Sequence, residues 1–280
     1  MNTSMIAGTV TMGQLQKKID TISDNVANIN TNGFKRREAT FSDLLFQQLN
    51  NQTRPQAEVG RLTPHGLRLG SGARIAQTAL RLEQGALNTT DRELDFALTE
   101  RDLFFQIEAT VGGELTEQLT RDGAFYLTES EDTPGAWSIV TADGGYVLST
   151  TGARLNVPDN FQSIELTGNG ILVATLADGA QQELGQIGLT RVLKPQLLNG
   201  VGNNRYQVPE LDTLGLDEAD VIEAVVAGQQ NIQQGALESS NVDLSNEMND
   251  LIQAQRHFQL NGQSISIADE MAGLINGIRR

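Results

Sequence analysis

The chain has no cysteine, which excludes thiol catalysis, disulfide staples and cysteine-based metal sites. Aromatic residues are scarce, at 5% of 280 residues, and Trp137 is the single tryptophan. A chain with so few large anchors either builds a small core or commits part of its apolar surface to other chains. From Glu210 to Asp250 there is no Lys or Arg, and the formal net charge is −15. That balance argues against nucleic acid as a partner, because phosphate binding rests on clustered cations. The basic residues Lys17, Lys18, Lys35, Arg36 and Arg37 crowd the start instead. The charge pattern reads either as a solvated acidic surface or as attraction between unlike ends of neighbouring copies. No run reaches the roughly 18 apolar residues of a membrane span, so no membrane insertion is expected. The opening "MNTSMIAGTVTMGQLQKK" has no basic stretch ahead of an apolar one and does not read as a secretory signal peptide. Export is expected to use a route without one.

What is present is organised from the two ends inward. Met5, Met12, Ile19 and Val26 recur every seven residues, and Leu15, Ile22 and Ile29 interleave with them. This heptad spacing predicts a helix with a narrow apolar stripe, suited to pairing with one or two other helices. Thr3 or Ser4 would cap it. The stretch "NVANINTNGFK" then stops the helix: asparagine and Gly33 tolerate the left-handed backbone beyond a helix end. At the other end, Ser240 and Asp243 have the spacing of a capping box. Leu244, Met248, Leu251 and Phe258 line one face of the helix that follows. Leu260, Ile267, Met271, Leu274 and Ile278 form a second stripe, and Arg279 and Arg280 suit the negative end of its dipole.

The middle reads as β-structure. Short alternating runs are punctuated by Asn169-Gly170, Asp178-Gly179 and Asp143-Gly144-Gly145, all hairpin signals. "LFFQIEA" and "GAFYLTES" look like further strands. Strands do not alternate with helices, which speaks against a parallel α/β sheet. The stretch Gln47 to Arg74 is polar and punctuated by Gly and Pro, so it should be extended or loop-like. "DEADVIEAVVAGQQNIQQGAL" suggests a short helix and an extended return.

Candidate chemistry is thin. His65 and His257 have no second ligand at metal spacing. Catalytic triads assemble through space, so spacing alone is silent about them, but nothing resembles a nucleophile elbow. The carboxylates Asp91, Glu93, Asp95, Glu100 and Asp102, then Glu129, Glu131 and Asp132, lack the aromatic platforms of a sugar cleft and read as a solvated face. "NVDLSNEMNDLI" has Asn246 and Ile252 where a calcium loop needs Gly and Glu. "GLRLGSGA" lacks the Lys-Ser/Thr pair of a phosphate loop. No enzyme and no cofactor is expected.

The ends carry a resemblance. Ala27-Asn28, then Thr31, Gly33, Phe34 and Lys35, is similar to the N-terminal signature of the flagellar rod and hook axial proteins. Leu237, Glu238, Ser240, Asn241, Val242 and Asp243, followed by Glu247-Met248 and Gln255-Arg256-x-Phe258, resembles their C-terminal segment. Between them, Gln84-Gly85, Leu94-Asp95, Phe104-Phe105 and Thr120-Arg121-Asp122-Gly123-x-Phe125 also match. The family usually has Gly-x-Gly before the paired phenylalanines, where this chain has Glu100-Arg101-Asp102-Leu103. By length, the chain is most like the distal-rod type or related hook–basal-body proteins.

The resemblance implies an α+β fold in which N- and C-terminal helices form a coiled-coil-like assembly domain around a central, mostly antiparallel all-β domain. The implied divisions are an assembly helix and signature at 1–46, an extended rod-type insertion at 47–74, a β-rich core at 75–210, a return linker at 211–238 and an assembly helix at 239–280. The self-assembly interface would comprise Met12, Leu15, Ile19, Ile22, Val26, Asn28, Ile29, Thr31, Gly33, Phe34, Asn241, Val242, Leu244, Met248, Leu251, Gln255, Arg256, Phe258, Ile267, Met271 and Leu274. Phe34 would anchor on a neighbouring helix, with Lys35, Arg36 and Arg37 at that helix's negative end. The implied partners are further copies of the chain, neighbouring rod and hook proteins, and the flagellar export apparatus. The implied location is the basal body, in the cell envelope outside the cytoplasmic membrane. The alternatives are another axial protein, such as a proximal rod segment or a hook-like adaptor, and, more remotely, a coiled-coil surface adhesin.

Overall fold

The computed structural model describes residues 2–43, 46–49, 67–70, 73–111, 113–130, 133–209, 211, 215–225 and 231–278. His65 and most of the insertion, with Glu131, Asp132, Arg279 and Arg280, lie outside these. The chain divides into two compact units: Met1–Val26, Arg37–Ala79 and Leu244–Arg280 form a helical unit, and Ala27–Arg36 with Leu80–Asp243 forms a β unit.

The helical unit holds α1 (Asn2–Ala27), the strands β1 (Arg37–Asp43), β2 (Phe46–Leu49), β3 (Leu67–Gly70) and β4 (Ala73–Leu80), and α2 (Leu244–Ile278). β1 pairs with β4, and β2 pairs antiparallel with β3. In α1 the hydroxyls of Thr9, Thr11 and Thr21 donate to the carbonyls of Met5, Ala7 and Lys17, so these residues are satisfied inside the helix. The helix starts at Asn2, ahead of the two positions expected to precede it. Ahead of α2, Ser240 is not the residue that flanks the helix start. The Ser240 hydroxyl accepts the Val242 amide at 3.3 Å in a non-helical stretch, and α2 starts only at Leu244.

The two helices run antiparallel. Asn25 of α1 donates to Glu247 of α2 at 3.2 Å, while at the far end a Cβ on Gly8 would stand 3.2 Å from Ile265. Along the facing sides Leu15, Ile22 and Asn25 are buried on α1, as are Glu247, Ala254 and Ala268 on α2. Successive positions are three, seven or fourteen residues apart, as the face of a paired helix requires.

The β unit comprises β5 (Leu87–Thr89), β6 (Phe96–Leu98), β7 (Leu103–Val111), β8 (Glu114–Thr120), β9 (Phe125–Glu129), β10 (Ala136–Thr141), β11 (Tyr146–Val147), β12 (Asn156–Pro158), β13 (Phe161–Leu166), β14 (Ile171–Leu176), β15 (Gln181–Gln186), β16 (Leu189–Val192), β17 (Asn199–Gly202), β18 (Arg205–Gln207), β19 (Ile222–Val225), β20 (Ile232–Gln234) and β21 (Ala236–Glu238). Its largest sheet runs β12-β10-β11-β7-β8-β18-β17, with β9 on β10 and β16 joining β7 to β19. β13, β14 and β15 form a second sheet. The pairings within both sheets are antiparallel. All three hairpin signals lie where the chain reverses, and Gly144, Gly170 and Gly179 take the positive φ these turns need. Where the sequence suggested a short helix after Asp217, there is one 3₁₀ turn at Glu218–Asp220. The β-branched run beyond it is strand β19.

The paired phenylalanines open β7, and alternation sends them to opposite faces. Phe105 meets Phe125 edge-on at 5.2 Å in the main core. Phe104 meets Tyr206 edge-on at 5.7 Å in a smaller cluster with Leu119 and Val192. One dipeptide thus anchors both cores. The departure just before it is also accounted for: Arg191 on β16 holds Glu100 at 2.6 Å and Asp102 at 3.3 Å.

Candidate assembly site

The signature segments meet inside the β unit around one carboxylate. Glu238, at the end of β21, is almost fully buried. Its Oε1 accepts from Lys35 Nζ at 2.6 Å and from the Gly85 amide at 2.9 Å. Its Oε2 accepts from Arg121 Nε at 2.6 Å. Lys35 Nζ also donates to the Glu83 carbonyl at 2.8 Å, and Arg121 Nη1 to the Leu103 carbonyl at 2.5 Å. Both cations have fully buried side chains. Burial, and then the nearby Arg121 guanidinium, lower the Lys35 pKa from 10.5 to about 8, while Glu238 pulls against both.

Backbone contacts close the same junction. The Gly33 amide donates to the Glu238 carbonyl at 2.7 Å, and the Asn204 side chain donates to the Asn32 carbonyl at 2.9 Å. Asn241 is the second hub: its Oδ1 accepts the Arg36 amide at 2.7 Å, and its Nδ2 donates to the Arg81 and Glu83 carbonyls, each at 2.9 Å. Six stretches far apart in sequence are thereby joined, around residues 32–36, 81–85, 103, 121, 204 and 238–241.

The structure places the interface candidates in two groups. In the β unit, Gly33, Phe34 and Val242 are buried, and Asn28, Ile29, Thr31 and Asn241 are half-buried. In the helical unit, Leu15 and Ile22 are buried, while Met12, Ile19, Val26, Leu251 and Phe258 are half-buried. Leu244, Met248, Gln255, Arg256, Ile267, Met271 and Leu274 are exposed. One placement is corrected. Lys35 does not sit at the end of a neighbouring helix: its ammonium is consumed by Glu238 of its own chain. The expected solvated face also fails at Asp95, which is buried and accepts the Thr90 hydroxyl at 2.7 Å. Sequence reasoning assigned no role to Arg121, Glu238 or Gly85, nor to the Asn25–Glu247 pair. Lone polar residues carry no periodicity, and only their membership of the matching blocks marked them. Among the described residues no cluster of three or more metal-ligating side chains occurs, and no helix is long and apolar enough to cross a membrane.

Two predictions follow from this geometry. Gly33 sits at φ +66°, and a Cβ there would stand 2.4 Å from the Arg121 carbonyl oxygen. Gly33→Ala should therefore cost the β unit about 2 kcal/mol or more in urea unfolding. The Lys35 shift gives a pH test. Between about pH 8 and 10.5 the unfolded chain keeps a proton on Lys35 that the folded chain has lost. Stability contributed by this group thus rises with pH across that window and is flat below it. The unfolding free energy of the wild type relative to Lys35→Met should rise by on the order of 3 kcal/mol across it.

The comparisons agree along the whole chain. Residues 7–35 match the family profile described as "Flagella basal body rod protein", and residues 233–278 match "Flagellar basal body rod FlgEFG protein C-terminal". The chain is 40% identical to the flagellar hook-basal body complex protein FlhP of Bacillus subtilis, covering 99% of both chains. It is 32% identical to the flagellar basal-body rod protein FlgG of the same organism, again over 99% of both. It is also 32% identical to FlgG of Borreliella burgdorferi, over 95% of this chain and 94% of that one. With both terminal signatures matched and full-length relatives above 30% identity, the chain belongs to the flagellar basal-body rod protein family and is a structural subunit of the basal body.

Proposed function

We propose that the chain polymerises into a helical tube in which α1 and α2 of successive copies form an inner coiled-coil layer, with the β units outside. The observation that carries this is the bare apolar surface of α2. Leu260, Ile267, Leu274 and Ile275 are each more than half exposed, and Leu244, Met248, Ile252 and Met271 nearly so. At about 25 cal/mol per Å², covering such side chains is worth roughly 1 kcal/mol each, several per contact. A contact between unlike surfaces that repeats without closing gives a filament. In this reading the exposed and half-exposed helix residues named above form the interface between copies. The signature residues from Asn28 to Phe34, with Asn241 and Val242, act within the β unit of each copy.

Such a tube would transmit torque and let exported subunits pass. The same reading has the chain exported through the flagellar apparatus without a cleaved signal and contacting rod and hook neighbours. Distal-rod placement and a role like that of the FlhP relative both fit this architecture. Electron microscopy of the purified full chain, concentrated to the millimolar range, tests the proposal: tubes of defined diameter support it, and a protein that stays monomeric overturns it.

A further inference from the structure

The helical unit contains a half-open cavity of about 290 Å³ between α1, β1 and α2. Leu15 and Ala254, both buried, lie in its lining with Thr11, and Phe41 and His257 complete much of its wall. Lys18 stands beside it, with its ammonium 5.7 Å from the Phe41 ring centroid. No carboxylate lines it among the described residues. A space this size has room for about two aliphatic side chains, and among the described residues the cation beside it has an aromatic face but no acid.

The same chain carries a matching edge. Ile267 and Leu274 on α2 are 56% and 70% exposed. Glu270 lies three residues after the first and four before the second, on the same side of the helix. That edge has no access to its own cavity. Ile267 lies six residues, about 9 Å, beyond Asn261, the last lining residue, and one continuous helix cannot turn back to fill a cavity that it walls. We infer that the cavity is a socket for a second copy of this chain, which inserts its Ile267–Leu274 edge and sets Glu270 against Lys18. Socket and edge are different surfaces, so the contact is heterologous and propagates. The assignment rests on the self-assembly reading and names the contact through which it proceeds.

The absence of cysteine makes the test direct. Full-length Thr11→Cys and Leu274→Cys chains are mixed, polymerised and oxidised; a disulfide-linked heterodimer is the expected product. In parallel, Lys18→Glu and Glu270→Lys should each raise the critical concentration for polymerisation about tenfold, and mixing the swaps in one chain should restore it to within about threefold. Polymers that form without the cross-link, or single charge variants that polymerise like the wild type, would overturn the socket and leave self-assembly standing. A wild-type chain that forms no polymer would overturn both.

Discussion

Glu238→Gln should cost the β unit about 3–5 kcal/mol, the largest loss expected from any single substitution considered for this fold. The carboxylate is the shared counter-ion of Lys35 and Arg121, each 2.6 Å away and shielded from water. Removing its charge leaves two cations buried without an anion, and that desolvation cost is what makes a broken buried ion pair expensive. Lys35→Met should behave differently. It leaves Arg121 and Glu238 as a neutral pair and gives up the bond to the Glu83 carbonyl, so it should cost about 1 kcal/mol. Trp137, on β10 with its indole nitrogen donating to Asp159 at 2.9 Å, is the chain's only tryptophan and reports on the β unit alone. Urea unfolding followed by its fluorescence ranks the two variants. If Lys35→Met is as damaging as Glu238→Gln, the junction is not organised around the carboxylate.

Leu274→Asp should abolish polymerisation while leaving the isolated chain as stable as before. Leu274 is 70% exposed, so a carboxylate there stays in water until another copy covers it. Covering it unpaired costs about 3 kcal/mol or more, which raises the critical concentration at least a hundredfold. Ile22→Asp, at a buried position on α1, should also abolish polymerisation, and in addition loosen α1 from α2 in the single chain. Neither should move the Trp137 transition. Sedimentation and circular dichroism separate these effects, and tubes built from Leu274→Asp would remove α2 from the interface.

Both helices and the β-hairpins were legible in the sequence because hydrophobic period and turn chemistry are local. The choice of helix face was not. The two stripes that draw the eye on α2 include Leu244 and Met248 on one and Ile267 on the other, yet these are exposed, and the side facing α1 presents Glu247, Ala254 and Ala268. Periodicity marks every face that needs cover, whereas one chain covers only the face its partner helix can approach closely. Small residues and a glycine at position 8 allow that approach. The ionic junction was hidden for a different reason. A buried glutamate at the end of a short strand looks, in sequence, like any solvated one, and only the fold brings Lys35 and Arg121 to it. The same blindness made Lys35 look like a residue for another copy's helix.

The measurement that bears most directly on the central claim is limited proteolysis, with fragment masses, of the chain before and after polymerisation. Among its described residues the helical unit buries few apolar side chains, Leu15, Ile22, Ala254 and Ala268, whereas the β unit is closed by its own core and junction. The account predicts that α1 and α2 are trimmed rapidly from the free chain, that the β unit survives, and that the same helix cleavages stop in the polymer. Terminal helices that resist equally in both states would mean their apolar faces are already covered within one copy, and would contradict assembly through them.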